Sequence, residues 1–335
     1  MKAMVLNERM PIEENPLRLT DVPDPSPGPG EARVKVRACG ICRTDLHVVE
    51  AELPPVKSPL IPGHQVVGIV DALGEGTSRF VIGDRVGIAW LRKTCGECGF
   101  CRSGRENLCE SQRFTGYHED GGFAEYAVVH EKFAYKIPDI FEDVEATPLL
   151  CAGIIGYRAL KRSRIQDGGR LGIYGFGSSA HIMIQIALHR GCEVYVCTRG
   201  GGHGELAKKM GAKWVGSAAE RMPVKMDGSI IFAPAGELVP VALKDLEKGG
   251  TLALAGIYMT PVPVMDYEEC LFFEKDLRSV TANTREDGRE LLREAAEIPI
   301  RPKTQVFPLE EANMALQALK HDEIRGSGVL VINDD

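Results

Sequence analysis

The sequence lacks the features of a membrane protein or of a nucleic-acid-binding protein. None of its apolar runs approaches the roughly 20 residues that span a bilayer. It has no basic excess either: its formal net charge is −7, whereas nucleic-acid-binding domains present a basic face. Internal repeats and low-complexity tracts are missing, and the amino terminus turns polar too early for a secretory signal. We therefore expect a cytoplasmic protein that binds neither membrane nor nucleic acid.

The 335 residues are enough for about two domains, and such a chain buries a large core without disulfides. Short strand-like runs such as 32–37, separated by Gly- and Pro-rich turns, fill residues 1–150, which is typical of a barrel-like antiparallel fold. In 151–286, short apolar strands alternate with helical stretches such as 239–247, which indicates a doubly wound parallel sheet. Residues 288–296 are expected to be helical, and the final strand-like run, 328–332, to rejoin the first domain. The sequence thus predicts one domain from 1–150 with 287–335, and a second from 151–286.

Four of the ten cysteines lie in one Gly-rich segment, at Cys95, Cys98, Cys101 and Cys109. In a reducing compartment such clustering favours metal ligation over disulfides. Zinc takes four thiolates at about 2.3 Å in a tetrahedron, and Cys-x-x-Cys turns present sulfurs in pairs. Because the four cysteines would fill all four coordination positions of the zinc and leave none for substrate, we predict a structural zinc. Free thiols, disulfides and an iron–sulfur centre remain as alternatives.

A dinucleotide-binding fingerprint follows the first strand of the second predicted domain. Gly175-x-Gly177-x-x-Ala180 lies between a strand and a helix, where glycines let a pyrophosphate approach the helix N-terminus. NAD-binding proteins place an acidic residue after the next strand, but this chain has Thr198 and Arg199 there. A hydroxyl beside a guanidinium suits a 2′-phosphate, so the sequence favours NADP(H) over NAD(H).

Three further motifs carry a family resemblance. They are Gly-Ile-Cys-Arg-Thr-Asp-Leu-His at 40–47, Ile-Pro-Gly-His-Gln-Val-Val-Gly at 61–68 and Leu-Leu-Cys-Ala-Gly at 149–153. With them, essentially the whole chain resembles the zinc-dependent medium-chain alcohol dehydrogenases. The resemblance implies an α/β protein, with a GroES-like, mostly-β catalytic domain and a Rossmann domain that binds NAD(P). It also implies reversible hydride transfer between a small to medium primary alcohol and NAD(P)+, in a homodimer or homotetramer.

Matched residue by residue, the resemblance implies that Cys42, His64 and Cys151 hold a catalytic zinc. Three protein ligands leave a fourth position for water or alcohol. Cys39 also precedes Cys42 at Cys-x-x-Cys spacing, but the family motif Gly-x-Cys-x-Ser/Thr-Asp-x-His implies that Cys42 is the zinc ligand. We expect Cys39 to be a buried, small apolar residue.

The resemblance also assigns roles to the neighbours of Cys42. Asp45 would orient the metal ligands, and Thr44 would take the alcohol proton. His47 would be the base at the solvent end of this relay, and the alternative is a plain surface histidine. Arg43 would meet the cofactor pyrophosphate.

The chain departs from the family pattern at two positions, with Gln65 in place of the usual Glu and Ile155 in place of a frequent Thr. Neither change removes a metal ligand. Trp90, Leu91 and Tyr117 are candidates for the wall of the substrate pocket, or they are ordinary core residues.

Two other functions stay open at the level of sequence. One is a polyol, threonine or other secondary-alcohol dehydrogenase of the same fold. The other is a non-catalytic dinucleotide-binding protein with structural zinc only.

Overall fold

The structure, a computed structural model, describes residues 1–199, 201–298 and 300–332. The strands are β1 (Lys2–Leu6), β2 (Leu17–Asp21), β3 (Glu31–Ile41), β4 (Gln65–Leu73), β5 (Arg85–Ile88), β6 (Leu91–Lys93), β7 (Arg113–Phe114), β8 (Tyr126–His130), β9 (Ala134–Lys136), β10 (Arg170–Tyr174), β11 (Glu193–Cys197), β12 (Trp214–Gly216), β13 (Met226–Ile231), β14 (Leu246–Leu254), β15 (Asp276–Ser279), β16 (Thr304–Pro308) and β17 (Ser327–Val331).

The α-helices are α1 (Arg43–Val49), α2 (Gly99–Arg102), α3 (Asp143–Ala146), α4 (Ala152–Arg162), α5 (Ser178–His189), α6 (Gly202–Lys209), α7 (Leu238–Asp245), α8 (Tyr267–Cys270), α9 (Arg285–Glu297) and α10 (Ala312–Lys320). Short 3₁₀ turns occupy Ile12–Glu14, Glu106–Leu108, Glu131–Phe133, Thr147–Leu150 and Leu309–Glu311. No helix within the described ranges has both the length and the apolar character to cross a membrane.

The chain divides into two compact units. The first comprises Met1–Cys151, Ala282–Ala296 and the residues from Arg301 onward, and the second comprises Ala152–Thr281 with Glu297–Ile300. Cys151 and residues 282–286, which the sequence assigns to the second domain, therefore lie in the first unit, whereas Glu297–Ile300, assigned to the first, lie in the second. For 282–286 the physical reason is the packing of α9: its Gly288 lies so close to the Tyr135 ring that an added Cβ would meet Cε1 at 2.4 Å.

A seven-stranded sheet organises the first unit. Its order is β16-β17-β3-β4-β5-β9, with β8 also paired to β3, and every pairing except β16–β17 is antiparallel. Burial alternates along the first half of β3, as expected for a strand with one face on the core. The expectation that the final strand rejoins this domain is confirmed, because β17 pairs with β3 and sets Leu330 opposite Cys39.

A six-stranded, wholly parallel sheet organises the second unit, in the order β12-β11-β10-β13-β14-β15. Its strands are largely buried, as in doubly wound sheets. The strand order reverses at β10, so the carboxyl end of β10 is where such sheets bind their ligands. The predicted α/β class, with a mostly antiparallel domain and a Rossmann-type domain, is confirmed.

Candidate functional site

The site begins at the junction of β3 and α1, where Cys42 is the N-cap residue. The Thr44 N–H donates to Cys42 Sγ at 3.3 Å, and the Cys42 N–H donates to Asp45 Oδ2 at 2.9 Å. These reciprocal bonds form a capping box, which satisfies two N–H groups that a helix start would otherwise leave unpaired. The box fixes the Cys42 sulfur and the Asp45 carboxylate relative to each other.

Asp45 in turn fixes the orientation and tautomer of His64. His64 Nδ1 donates to Asp45 Oδ1 at 3.0 Å, and both side chains are only 1% exposed. His64 Nε2 lies 3.2 Å from Cys42 Sγ, and with the proton on Nδ1 its lone pair would be free to bind a metal ion beside that sulfur. Gly63 makes this approach possible, since its φ is +95° and an added Cβ would meet the Phe123 ring at 2.4 Å.

Cys151 completes the group, directly after the 3₁₀ turn Thr147–Leu150. The donor atoms of Cys42, His64 and Cys151 lie within 4.8 Å of one another. In a tetrahedral zinc site, bonds of about 2.0–2.3 Å put donors about 3.5–3.8 Å apart. The three residues therefore fit three corners of a zinc tetrahedron. No fourth Cys, His, Asp or Glu of the described chain belongs to the group.

The ionisation of these groups is coupled. The hydrogen bond from Cys151 holds the pKa of the Cys42 thiol well below its ordinary value, while the pKa of Cys151 is raised well above it. Burial raises the pKa of Asp45, and His64 opposes that rise. A divalent cation held by Cys42, His64 and Cys151 would remove this competition, since metals bind cysteine as the thiolate.

The four cysteines predicted to bind a structural zinc are also brought together, in a lobe that spans residues 95–109. Their sulfurs lie within 4.8 Å of one another, with Cys95 Sγ 3.8 Å from Cys101 Sγ and 3.5 Å from Cys109 Sγ. Backbone N–H groups of Glu97 and Cys98 lower the pKa of Cys95 to about 6. The separations match the edges of a zinc tetrahedron and exceed an S–S bond of about 2.05 Å, so the cysteines are free thiols here.

An ion pair anchors this lobe to α9. Glu106 is 6% exposed and accepts from the Arg285 backbone N–H at 2.8 Å and from its guanidinium Nε at 2.9 Å. Arg285 also lies over the Phe133 ring, 4.7 Å from its centroid. Residues 179 positions apart thus hold the lobe in place.

The other predicted residues of α1 have partners of their own. Thr44 is buried beside Cys42, and His47 lies three positions further along the same helix. His47 Nδ1 pairs with Glu52, and Arg43 Nη2 lies 2.6 Å from Asp322 Oδ1. No sequence pattern indicates either acidic partner.

Aromatic side chains line one side of the His64 ring. Trp90 meets His64 edge-on at 5.0 Å and stacks on Phe114 at 4.7 Å, with Tyr117 beyond it at 6.0 Å. The Tyr117 hydroxyl donates to the Pro54 carbonyl at 2.7 Å. Leu91 has a different position, since it is fully buried in the core.

The two departures from the family pattern lie in regular structure. Gln65 is 2% exposed at the start of β4 and contacts Gly40 across the β3–β4 pair. Ile155 is half-buried within α4.

The dinucleotide fingerprint lies at the carboxyl end of β10. Gly175 has φ +89°, its N–H donates to the Cys197 carbonyl at 2.8 Å, and Gly177 is the N-cap of α5. No side chain caps this helix, so its first N–H groups remain available to an anion. Ala180 is fully buried. After β11, Thr198 is half-buried and Arg199 is exposed.

Comparison with known proteins agrees with this arrangement. The family model of the alcohol dehydrogenase GroES-like domain matches residues 28–139, and that of the zinc-binding dehydrogenases matches 180–297. A Mycobacterium tuberculosis protein named "Probable alcohol dehydrogenase AdhA" is 48% identical, over 99% of this chain and 97% of its own. An alcohol dehydrogenase of Geobacillus stearothermophilus is 36% identical over 99% of this chain and 100% of its own.

The chain belongs to the zinc-dependent medium-chain alcohol dehydrogenase family. Solved structures agree: a cinnamyl alcohol dehydrogenase from Sorghum bicolor has a TM-score of 0.90 at 26% identity, covering 98% of this chain and 97% of that one. The alcohol dehydrogenase of Aeropyrum pernix has a TM-score of 0.86 at 28% identity, covering 99% and 100%. The enzyme is thus an oxidoreductase that uses zinc and a nicotinamide cofactor.

Proposed function

We propose that the enzyme catalyses the reversible oxidation of small to medium primary alcohols, with one catalytic and one structural zinc per chain. The observation that carries this proposal is the triad Cys42, His64 and Cys151, whose donor atoms lie within 4.8 Å of one another. Asp45 accepts a hydrogen bond from the other ring nitrogen of His64. Three protein donors are the mark of a catalytic zinc, and four are the mark of a structural one.

When bound, the triad zinc would supply Lewis-acid polarisation of a substrate oxygen, and the nicotinamide would supply or accept the hydride. The chain's own groups prepare this chemistry. Asp45 keeps the proton on His64 Nδ1, so that Nε2 stays a lone-pair donor. The ring of Trp90 covers one edge of His64 and excludes water from that side.

Proton transfer would begin at the Thr44 hydroxyl and end at His47, three positions along α1. His47 Nδ1 pairs with Glu52, and the imidazole would accept the proton at the end of the relay. The His47 side chain is 16% exposed, which suits the solvent end of a relay.

For the cofactor, we propose NADP(H) in preference to NAD(H). Gly175, Gly177 and Ala180 would hold the cofactor pyrophosphate at the α5 N-terminus. By the family resemblance, the Arg43 guanidinium would also contact this pyrophosphate. Arg199 and Thr198 would contact the 2′-phosphate, which the acidic residue of an NAD site would repel. By resemblance to the family we also propose a homodimer or homotetramer.

The test is metal content together with activity in matched variants. Cys42→Ser should lose one of two zinc ions and all turnover while the fold survives. Cys98→Ser should lose the other zinc and mainly lower stability. Cys192→Ala, a buried cysteine outside both groups, should keep both ions. A single zinc in the wild-type enzyme would contradict the proposal and favour a non-catalytic role.

A further inference from the structure

The four lobe cysteines differ in how far solvent reaches them. Cys95 is exposed, Cys98 and Cys101 are half-buried, and Cys109 is only 1% exposed. Reactive cysteines are at least partly exposed, whereas buried structural cysteines are inert. Cys95 is therefore the lobe cysteine most open to a reagent in solution.

A groove of about 440 Å³ lies against Cys95. Its other walls come from residues 93–94, residues 110–113 and His118. Of the four lobe cysteines, all of which the structure describes, only Cys95 lines this groove. Its volume falls within the range of small-molecule sites. The groove thus offers a small molecule access to one lobe sulfur and not to the other three.

The Cys109 sulfur is placed to react second. Cys109 Sγ lies 3.5 Å from Cys95 Sγ, closer than Cys101 Sγ at 3.8 Å. The Cys95 N–H also donates to Cys109 Sγ at 3.4 Å, which keeps the two residues side by side. An S–S bond of about 2.05 Å would require the two sulfurs to approach each other by about 1.5 Å.

The two sulfurs belong to parts of the lobe that are held differently. Cys109 follows Glu106, whose carboxylate accepts from Arg285 at the start of α9. Around Cys95 the hydrogen bonds are local, such as the one from the Cys98 N–H to Cys95 Sγ. The turn that carries Cys95 can therefore approach Cys109 without breaking the anchor to α9.

We propose that Cys95 is a modification site for low-molecular-weight disulfides, and that Cys109 completes the reaction and releases the lobe zinc. This proposal rests on the structural zinc of the proposed function. The Cys95 thiolate attacks one sulfur of the small disulfide, forms a mixed disulfide and expels one thiolate. The Cys109 thiolate then attacks the Cys95 sulfur, forms the Cys95–Cys109 disulfide and expels the second thiolate.

The electrons balance in this exchange. Two electrons pass from the two cysteines to the small disulfide, which becomes two thiolates that take protons from water. The zinc is left with only Cys98 and Cys101 as ligands and is released. The new disulfide then replaces the zinc as the cross-link between the two parts of the lobe, so the lobe stays folded.

The probe is glutathione disulfide, added to holoenzyme whose two zinc ions have first been counted. A colorimetric zinc indicator follows release, and mass spectrometry after alkylation of free thiols locates the modified cysteines. We expect loss of one zinc per chain, with glutathione first on Cys95 and a Cys95–Cys109 disulfide later. The triad zinc should stay bound, because Cys42 and Cys151 are less exposed than Cys95.

Two exposed serines give a matched pair of variants. Ser111 lines the groove, whereas Ser103 is in the lobe but outside the groove, and neither is a zinc ligand. Ser111→Trp should fill the groove and slow zinc release by glutathione disulfide about tenfold, since access limits thiol–disulfide exchange. Ser103→Trp should release zinc at the wild-type rate. Both variants should hold two zinc ions before the disulfide is added.

Equal release rates from the two serine variants would overturn the proposal, as would glutathione found first on another lobe cysteine or earlier loss of the triad zinc. A lobe zinc that is present at the start and withstands glutathione disulfide would overturn this proposal alone. A lobe without zinc in the untreated enzyme would overturn the structural zinc of the proposed function as well.

Discussion

Replacing Asp45 by asparagine should release the triad zinc while the lobe zinc stays bound. The Asp45 carboxylate accepts from two donors at once, the Cys42 N–H at 2.9 Å and His64 Nδ1 at 3.0 Å. An asparagine has one oxygen, so its NH₂ group must face one of these two N–H donors. If the amide oxygen keeps the helix cap, the NH₂ faces His64 and favours the tautomer protonated on Nε2. That tautomer directs an N–H instead of a lone pair at the metal position.

The size of the effect follows from this conflict. Loss of a group that orients metal ligands commonly weakens metal binding by about 10–100-fold, or about 1.4–2.7 kcal/mol. We expect the upper part of this range, because Asp45 and His64 are each 1% exposed and solvent cannot relieve the clash. Loss of the helix cap would add about 1 kcal/mol of destabilisation.

The assay is competition with a graded series of zinc chelators, followed by counting the zinc retained per chain. Asp45→Asn should release one ion at a lower chelator strength than the wild type and keep the other. Asp24→Asn, a carboxylate that is 50% exposed, is the matched control and should release both ions as the wild type does. Identical release curves for Asp45→Asn and the wild type would refute the tautomer argument.

Three other predictions concern cofactor choice, stability and proton transfer. Arg199→Ala should weaken NADPH binding by about 1.5–3 kcal/mol and leave NADH almost unchanged, as measured by cofactor fluorescence; a wild-type preference for NADH would contradict it. Glu106→Gln should destabilise the first unit by about 2–3 kcal/mol in urea unfolding, because it leaves Arg285 poorly paired, whereas Glu119→Gln in an exposed pair should cost under about 1 kcal/mol. His47→Gln should slow turnover by less than the roughly 10²–10⁴-fold typical of a positioned base, and amine buffers should partly restore it; full activity in dilute buffer would make His47 a surface residue.

Local sequence patterns predict most strands and helices, but not where tertiary pairing extends them. The strand predicted over 32–37 continues to Ile41, because β17 and β4 pair with its carboxyl end. The helix predicted over 239–247 ends at Asp245, since Leu246 already pairs with Met226 in the parallel sheet. In both cases the deciding partner lies far away in the sequence.

Helix α9 begins at a capping box that can be recognised in the sequence. Its apolar pattern predicts a helix from residue 288, yet the helix begins at Arg285 after a reciprocal cap. The Thr284 N–H donates to Asp287 Oδ2 at 2.9 Å, and the Asp287 N–H donates to Thr284 Oγ1 at 3.2 Å. Thr-x-x-Asp is a recognisable helix start, so this signal could have placed the boundary. Glu106 has no such signal, because its partner Arg285 is 179 residues away.

The same Cys-x-x-Cys spacing has two outcomes in this chain, and the backbone decides between them. In the lobe, the residues from Cys95 to Cys98 form a turn in which the Cys98 N–H donates to Cys95 Sγ at 3.3 Å, so both sulfurs face one point. Cys39 and Cys42 instead straddle the end of β3. Cys39 is still in the strand and faces the core beside Gly63 and Gly122, where an added Cβ would approach its sulfur to 2.9 Å and 3.2 Å.

Burial raises the pKa of Cys39 well above its ordinary value, so it stays a neutral thiol, in agreement with the expectation from the sequence. Cys42 has left the strand and caps a helix, where the hydrogen bond from Cys151 and the Thr44 N–H stabilise its thiolate. Spacing alone therefore cannot identify a ligand pair. The residues after the second cysteine do not separate the two cases, since Cys98 and Cys42 are both helix N-caps. The difference lies between the cysteines: Gly96 has φ +78° and turns the chain, whereas Gly40 remains in β3.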